Sequence, residues 1–220
     1  MKRSLSIILS IIMIAAVFTG CGSKEAYQMV LSGSYTTIEE VPAADTSGID
    51  ASYQTASPQS GDTVAILHTN MGDISMRFFP EVAPIAVNNF IALAKAGKYD
   101  NTIFHRVINN FMIQGGDYTN FNGTGGESIY GREFQLETDA NVHNYSGSVA
   151  MANRGPGTNG SQFYINQVDN TYLDGSYTVF GQVYSGMDVV NAICVTATDM
   201  SDRPLADVTI TSVEITKYKN

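Results

Sequence analysis

Tyr99-Asp100-Asn101-Thr102-Ile103-Phe104-His105-Arg106-Val107-Ile108-Asn109-Asn110-Phe111-Met112-Ile113-Gln114-Gly115-Gly116-Asp117 sets one guanidinium inside a run that is otherwise β-branched and aromatic. Such composition reads as strand, and strand alternation predicts Phe104, Arg106 and Ile108 on one face with His105 and Val107 on the other. An unpaired buried charge is costly, so an arginine among apolar neighbours suits a partly desolvated groove. By itself the pattern fits at least as well an arginine paired with a carboxylate, or one emerging at a sheet edge. His105 is expected to point away from Arg106 and to be structural.

Outward from this stretch the chain alternates between short strands and turns. Thr63-Val64-Ala65-Ile66-Leu67-His68 and the alternating segment from Gly72 to Phe79 flank an Asn70-Met71-Gly72-Asp73 turn and predict a hairpin. Pro80-Glu81-Val82-Ala83-Pro84 introduces a helix that runs through Phe90 and Leu93 and stops at Gly97. Further strands are predicted at 102–108, 111–115, 147–153, 161–166, 177–183 and 207–217, with a second helix at 187–194. Many short strands, glycine-rich turns and two helices point to a mainly β barrel or sandwich with capping helices.

The two ends of the chain's first quarter read differently. Lys2-Arg3, a mostly apolar stretch from Ser4 to Phe18, and Phe18-Thr19-Gly20-Cys21 form a secretory leader too short for a membrane span, which needs about 20 apolar residues. Phe18-Thr19-Gly20-Cys21 resembles the lipobox of bacterial lipoproteins, which implies removal of residues 1–20 and a lipid on Cys21. A plain secretory signal leaving a free cysteine is the alternative. Residues 21–61 lack a period of 2 or 3.6 and are expected to be a flexible tether, with a root-mean-square reach of about 30–40 Å; a short docked strand around Tyr27 to Leu31 is the alternative there. A single domain is expected over 62–220.

Charge and side-chain inventory exclude several functions. The 220-residue chain carries a formal charge of −9, and loss of Lys2 and Arg3 would make it more negative, so nucleic acid is not an expected partner. Cys21 and Cys194 form no Cys-x-x-Cys pair, and His68, His105 and His143 are scattered without ligand spacing. No metal and no cofactor are expected. Cys194 sits in an apolar helical run and reads as a small buried hydrophobe. No Gly-x-Ser-x-Gly elbow is present, which argues against serine hydrolase chemistry.

The motifs taken together change the weight on Arg106. Phe104-His105-Arg106-Val107-Ile108 with Phe111-Met112-Ile113-Gln114-Gly115-Gly116-Asp117 resembles the cyclophilin signature. So do Asn122-Gly123-Thr124-Gly125-Gly126-Glu127-Ser128-Ile129-Tyr130-Gly131, Gly147-Ser148-Val149-Ala150-Met151-Ala152-Asn153, Gly160-Ser161-Gln162-Phe163-Tyr164-Ile165 and Leu173-Asp174-Gly175 with Val179-Phe180-Gly181. The resemblance spans about residues 62–218 in the family's order. It implies a closed eight-stranded antiparallel barrel capped by two α-helices, and peptidyl-prolyl cis/trans isomerisation without a cofactor.

By position, Arg106 resembles the catalytic arginine, and Phe111, Met112, Tyr164 and Leu173 the pocket for the substrate proline ring. Gln114, Ala152, Asn153 and Gln162 would contact the substrate backbone, with Gly123 at the rim. Tyr172 stands where many members carry Trp, Tyr177 where many carry His, and Tyr164 where Phe is usual. Asn109-Asn110 replaces a Pro-Gly-like turn. The cyclophilin resemblance implies proline-containing polypeptide clients, while the leader and the lipobox-like Phe18-Thr19-Gly20-Cys21 imply an extracytoplasmic, lipid-anchored place on a bacterial membrane. It also implies cyclosporin binding, weakened by loss of the indole donor at Tyr172. A groove that binds proline segments without turnover, and a structural surface lipoprotein, are the competing readings.

Overall fold

The computed structural model describes residues 24–219. The leader and Cys21 lie outside the described residues. The chain enters through helix α1 (Lys24–Val30) and an irregular arm, then forms the hairpin β1 (Thr63–Thr69) and β2 (Gly72–Phe78). Gly72, at φ 126°, takes the backbone conformation that this turn needs and that side chains disfavour. Helix α2 (Pro84–Lys95) follows, then the short strands β3 (Thr102–Ile103), β4 (Arg106–Ile108) and β5 (Met112–Gly115). The chain closes with β6 (Ser148–Met151), β7 (Phe163–Asn166), β8 (Val179–Ser185), α3 (Met187–Cys194) and β9 (Thr209–Lys217).

The strands form a single antiparallel sheet in the order β3-β9-β1-β2-β8-β6-β7-β5-β4. This corrects the closed eight-stranded barrel with two helices: among the described residues the sheet has nine strands, is open between β3 and β4, and is accompanied by three α-helices. The reason lies at Phe104-His105, where the chain leaves its pairing with β9 and joins β5, so the expected strand at 102–108 divides in two. The third helix comes from the arm.

The sheet's concave side closes on α2 through aromatic rings. Phe90 lies 5.0 Å from Tyr99 and 5.4 Å from both Phe163 and Phe180, centroid to centroid, and all four are fully buried. The Phe90–Phe163 pair meets edge-to-face, at 80°, and such contacts add to the area they bury. Cys194 is buried in α3 and burial pushes its thiol up to about 11, so it is an inert hydrophobe.

The expected tether is packed instead. Over residues 24–61, Tyr27, Val30, Val41 and Gln54 are buried, and α1 lies against α2. The Tyr35 backbone exchanges two hydrogen bonds with the Asn88 side chain, at 3.1 and 3.0 Å. Arg77 donates to the Tyr53 and Ala56 carbonyls and lies over the adjacent Tyr53 and Phe79 rings, 5.1 Å from each centroid. These anchors are isolated side-chain-to-backbone bonds and ring contacts at irregular spacing, so they leave no period in the sequence. No described helix is long and apolar enough to cross a membrane.

Candidate active site

Three strands bring the site together by register. Arg106 on β4 pairs with Gln114 on β5, and Gln114 pairs with Tyr164 on β7. Residues directly opposite in a sheet share a face, so Arg106, Gln114 and Tyr164 form one row across it, with Met112 two places from Gln114 on that face. The β4–β5 connection needs a left-handed residue, which Asn110 supplies at φ 59°. Asparagine tolerates that region, which explains how the turn forms without glycine. Phe111 follows directly and is half-buried.

A pocket of about 120 Å³ opens on this row, lined by Arg106, Phe111, Met112, Gln114, Ala152, Asn153, Tyr164, Leu173 and Tyr177. The structure thus gathers nine of the expected site residues around one concavity. Tyr164 meets Tyr177 edge-on at 5.6 Å, and Phe111 stacks on Tyr172 at 6.4 Å and 20°. Tyr172 is 72% exposed and stands at the mouth rather than in the wall. The extra hydroxyl of Tyr164 points inward and donates to Asn144 Oδ1 at 2.7 Å, leaving ring surface toward the pocket. Asn153 uses its side chain locally, donating to the Ser176 carbonyl and accepting from the Gly155 N–H.

Arg106 carries the one charged side chain of this lining, 42% exposed. Its row-mates contribute amide, ring and thioether, a donor set that suits neither a metal ion nor a nucleophile. The expected face assignment needs one correction. Phe104 is fully buried in the aromatic core, 6.4 Å from Phe163, and does not share the face of Arg106, because the break at Phe104-His105 shifts the phase of the alternation. His105 is buried beside Gly123, and burial lowers its imidazole below the usual range. It does not line the pocket that Arg106 faces.

Gly123 and Gln162 belong to a larger adjoining cleft of about 530 Å³, which shares Gln114, Ala152 and Asn153 with the first. Gln162 accepts from Gln114 at 2.9 Å and donates to the Gly123 and Gly125 carbonyls at 2.9 and 2.8 Å, so its amide bridges the two clefts. The loop it holds is built on Asp117. That buried carboxylate accepts backbone N–H groups of Thr119, Asn120, Asn122, Gly123 and Gly125. Burial opposes its ionisation, but the N–H donors outweigh it and bring the carboxyl down to about 2.

Sequence reading assigned no role to Asp117, although an acid followed by Thr, Asn and Gly is a recognisable loop organiser. It also missed Asp202, whose carboxylate reaches Arg106 from ninety-odd residues away with no local signal, and Asn144, which lies in an irregular segment.

Comparison with known proteins agrees with this geometry. Residues 64–215 match the family model described as cyclophilin type peptidyl-prolyl cis-trans isomerase/CLD. A relative in Schizosaccharomyces pombe, peptidyl-prolyl cis-trans isomerase 9, is 51% identical over 69% of this chain, which spans only 25% of that protein's length. A putative peptidyl-prolyl cis-trans isomerase of Staphylococcus aureus is 41% identical over 71% of this chain and 93% of its own. A crystal structure of a Cryptosporidium parvum cyclophilin type isomerase superposes with a TM-score of 0.69 at 39% identity, covering 72% of this chain and 99% of that one. Another structure of that protein, in the presence of dipeptide Ala-Pro, gives 0.68 at 38% identity. The chain belongs to the cyclophilin-type peptidyl-prolyl cis-trans isomerase family.

Proposed function

We propose that this chain is a peptidyl-prolyl cis/trans isomerase acting on X-Pro bonds of extracytoplasmic polypeptides. The observation that carries the proposal is a single permanent cation, Arg106, over an otherwise uncharged pocket of rings and a thioether. Rotation about a peptide bond meets a barrier of ~18–20 kcal/mol from C–N double-bond character. X-Pro bonds populate both isomers yet exchange over tens to hundreds of seconds. Catalysis of this step needs no nucleophile. It needs a site that binds the twisted bond, with its pyramidal proline nitrogen, more tightly than the planar one.

In this reading Phe111, Met112, Tyr164 and Leu173 grip the proline ring, while Gln114, Ala152 and the Asn153 backbone hold the preceding residues. Arg106 donates toward the proline nitrogen or the adjoining carbonyl, and that bond strengthens as the nitrogen lone pair re-forms. About 7 kcal/mol of such differential binding gives roughly 10⁵-fold acceleration, at ~1.4 kcal/mol per decade. Arg106→Ala is expected to lower kcat/KM for a short Ala-Pro peptide by about 10²–10³-fold with the fold intact, since the side chain is half-exposed. Near-parental turnover in that variant would sink the assignment.

The location is part of the same proposal. The leader and the Phe18-Thr19-Gly20-Cys21 pattern support lipidation of Cys21 and an extracytoplasmic face of a bacterial membrane. Only Gly22 and Ser23 separate Cys21 from α1, and the arm after it is packed, so the lipid would hold the domain close to the bilayer rather than 30–40 Å away. Labelled-lipid incorporation and membrane fractionation test this: both are expected in the parent and lost in Cys21→Ser.

A further inference from the structure

The arm preceding β1 lies outside the family match, yet it reaches the back of the proline pocket at one point. Gln54 is 1% exposed, and its amide pairs with the His143 backbone as a strand would. Nε2 donates to the His143 carbonyl at 2.8 Å, and Oε1 accepts the His143 N–H at 2.9 Å. Nε2 donates also to Gln182 Oε1 at 3.1 Å, so both sides of the amide are committed. A buried amide with all these bonds made is a fixed point, and losing it would leave buried backbone groups unpaired.

What Gln54 fixes is the His143-Asn144 dipeptide, and that dipeptide holds two walls of the pocket. His143 Nδ1 lies 2.8 Å from Asp174 Oδ2, and the Asn144 N–H and side chain donate to Asp174 Oδ1 at 2.7 and 3.0 Å. Asp174 directly follows Leu173, one wall of the pocket. Asn144 Oδ1 accepts the Tyr164 hydroxyl at 2.7 Å, and Tyr164 is a second wall. We infer that Gln54 is a positioning residue for the substrate pocket: through His143-Asn144 it sets where Leu173 and Tyr164 meet the proline ring, which makes this one side chain, and not the arm around it, part of the binding machinery.

The walls grip the ring in the planar and the twisted state alike. Loosening them removes uniform binding, which raises KM and leaves kcat. A merely structural Gln54 would lower thermal stability and move neither constant. The inference rests on the isomerase reading, and the test keeps the two apart.

The test compares Gln54→Ala and the volume-conserving Gln54→Met in the full chain with Tyr53→Phe. The last removes another hydrogen bond of the arm, Tyr53 to Glu81 at 2.6 Å, that does not lead to the pocket. All are assayed at a temperature where circular dichroism shows them folded. KM for an Ala-Pro peptide, and its Kd by chemical-shift titration, are expected to rise about 3- to 10-fold in both Gln54 variants, with kcat within about twofold. Leu173 methyl resonances should shift in the same variants, and Tyr53→Phe should match the parent in KM and Kd. Unchanged KM and Kd in the Gln54 variants, or an equal rise in Tyr53→Phe, overturns the brace alone. A parent that neither binds nor turns over the peptide overturns the isomerase reading and the brace with it.

Discussion

Asp202 holds its carboxylate 3.5 Å from Nε of Arg106, and its carbonyl accepts the N–H of Val107 at 2.8 Å. One residue of the α3–β9 connection therefore touches both the guanidinium and the strand that carries it. Asp202 sits at φ 64°, a conformation that aspartate and asparagine tolerate better than most residues. The contact is at Nε, which leaves the terminal nitrogens free to face the pocket. The carboxylate thus orients the cation rather than masking it.

Asp202→Asn isolates that charge, because asparagine keeps the backbone conformation and the bond to Val107. The pair is 42% and 44% exposed, so it is a weak ion pair worth roughly 0.2–1 kcal/mol. If that energy acts on the transition state, kcat falls by about 1.5- to 5-fold with little change in melting temperature. A rise in kcat would show that the carboxylate competes with substrate for Arg106.

Tyr172 offers a test at the pocket mouth. It is 72% exposed and stacked on Phe111, so a larger ring has room there. Tyr172→Trp adds the indole N–H whose absence underlies the expectation of weakened cyclosporin binding. One further hydrogen bond is worth about 0.5–1.5 kcal/mol, and the Kd for cyclosporin should fall roughly 2- to 10-fold. Equal affinity of the two proteins, measured by calorimetry, would mean the indole donor is not what limits binding.

Asn110 tests the turn that aims Arg106 and Phe111. At φ 59° an alanine is disfavoured by roughly 1–2 kcal/mol, whereas glycine is not. Asn110→Ala should lower the urea-unfolding free energy by about that much, and Asn110→Gly by much less. Equal losses would place the Asn110 contribution in its side chain rather than in its backbone.

How much of this was legible follows from what kind of signal each part leaves. The β1–β2 hairpin and α3 were readable because burial on one face imposes a period, and Ile74, Met76 and Phe78 alternate inward as expected, whereas α2, buried on every side from Ala86 to Ala94, was readable from Pro84 at its start and Gly97 beyond its end. The pocket was readable through its ordered motifs, which carry chemistry as well as packing. The break at Phe104-His105 was not, since a β-branched and aromatic run looks the same whether it pairs with one partner or changes partners midway. Nor were Asp202 and Gln54: each acts through a few contacts to residues far away in sequence, and isolated long-range contacts leave no periodicity. The arm's apolar residues are too few for a pattern, yet enough to dock when each meets its own site.

Glu137 links the pocket-bearing half of the chain to α2 and gives the last prediction. Its carboxylate oxygens accept the N–H groups of Ile85 and Ala86, both at 2.9 Å, at the helix's first turn. Burial pushes the carboxyl up, from 4.5 to about 7, against the lowering effect of those two N–H donors. Between those values the native chain retains a proton that the unfolded chain has released, so stability falls as pH rises from about 4.5 to about 7. At ~1.4 kcal/mol per unit the decline is at most about 3.5 kcal/mol. Glu137→Gln cannot ionise, and its stability should be flatter across that window. Urea-unfolding midpoints of the parent and the variant at pH 5 and pH 8 measure the difference. A parent that gains stability over this range relative to the variant would show that the two helix N–H groups outweigh burial and hold Glu137 ionised in the folded state.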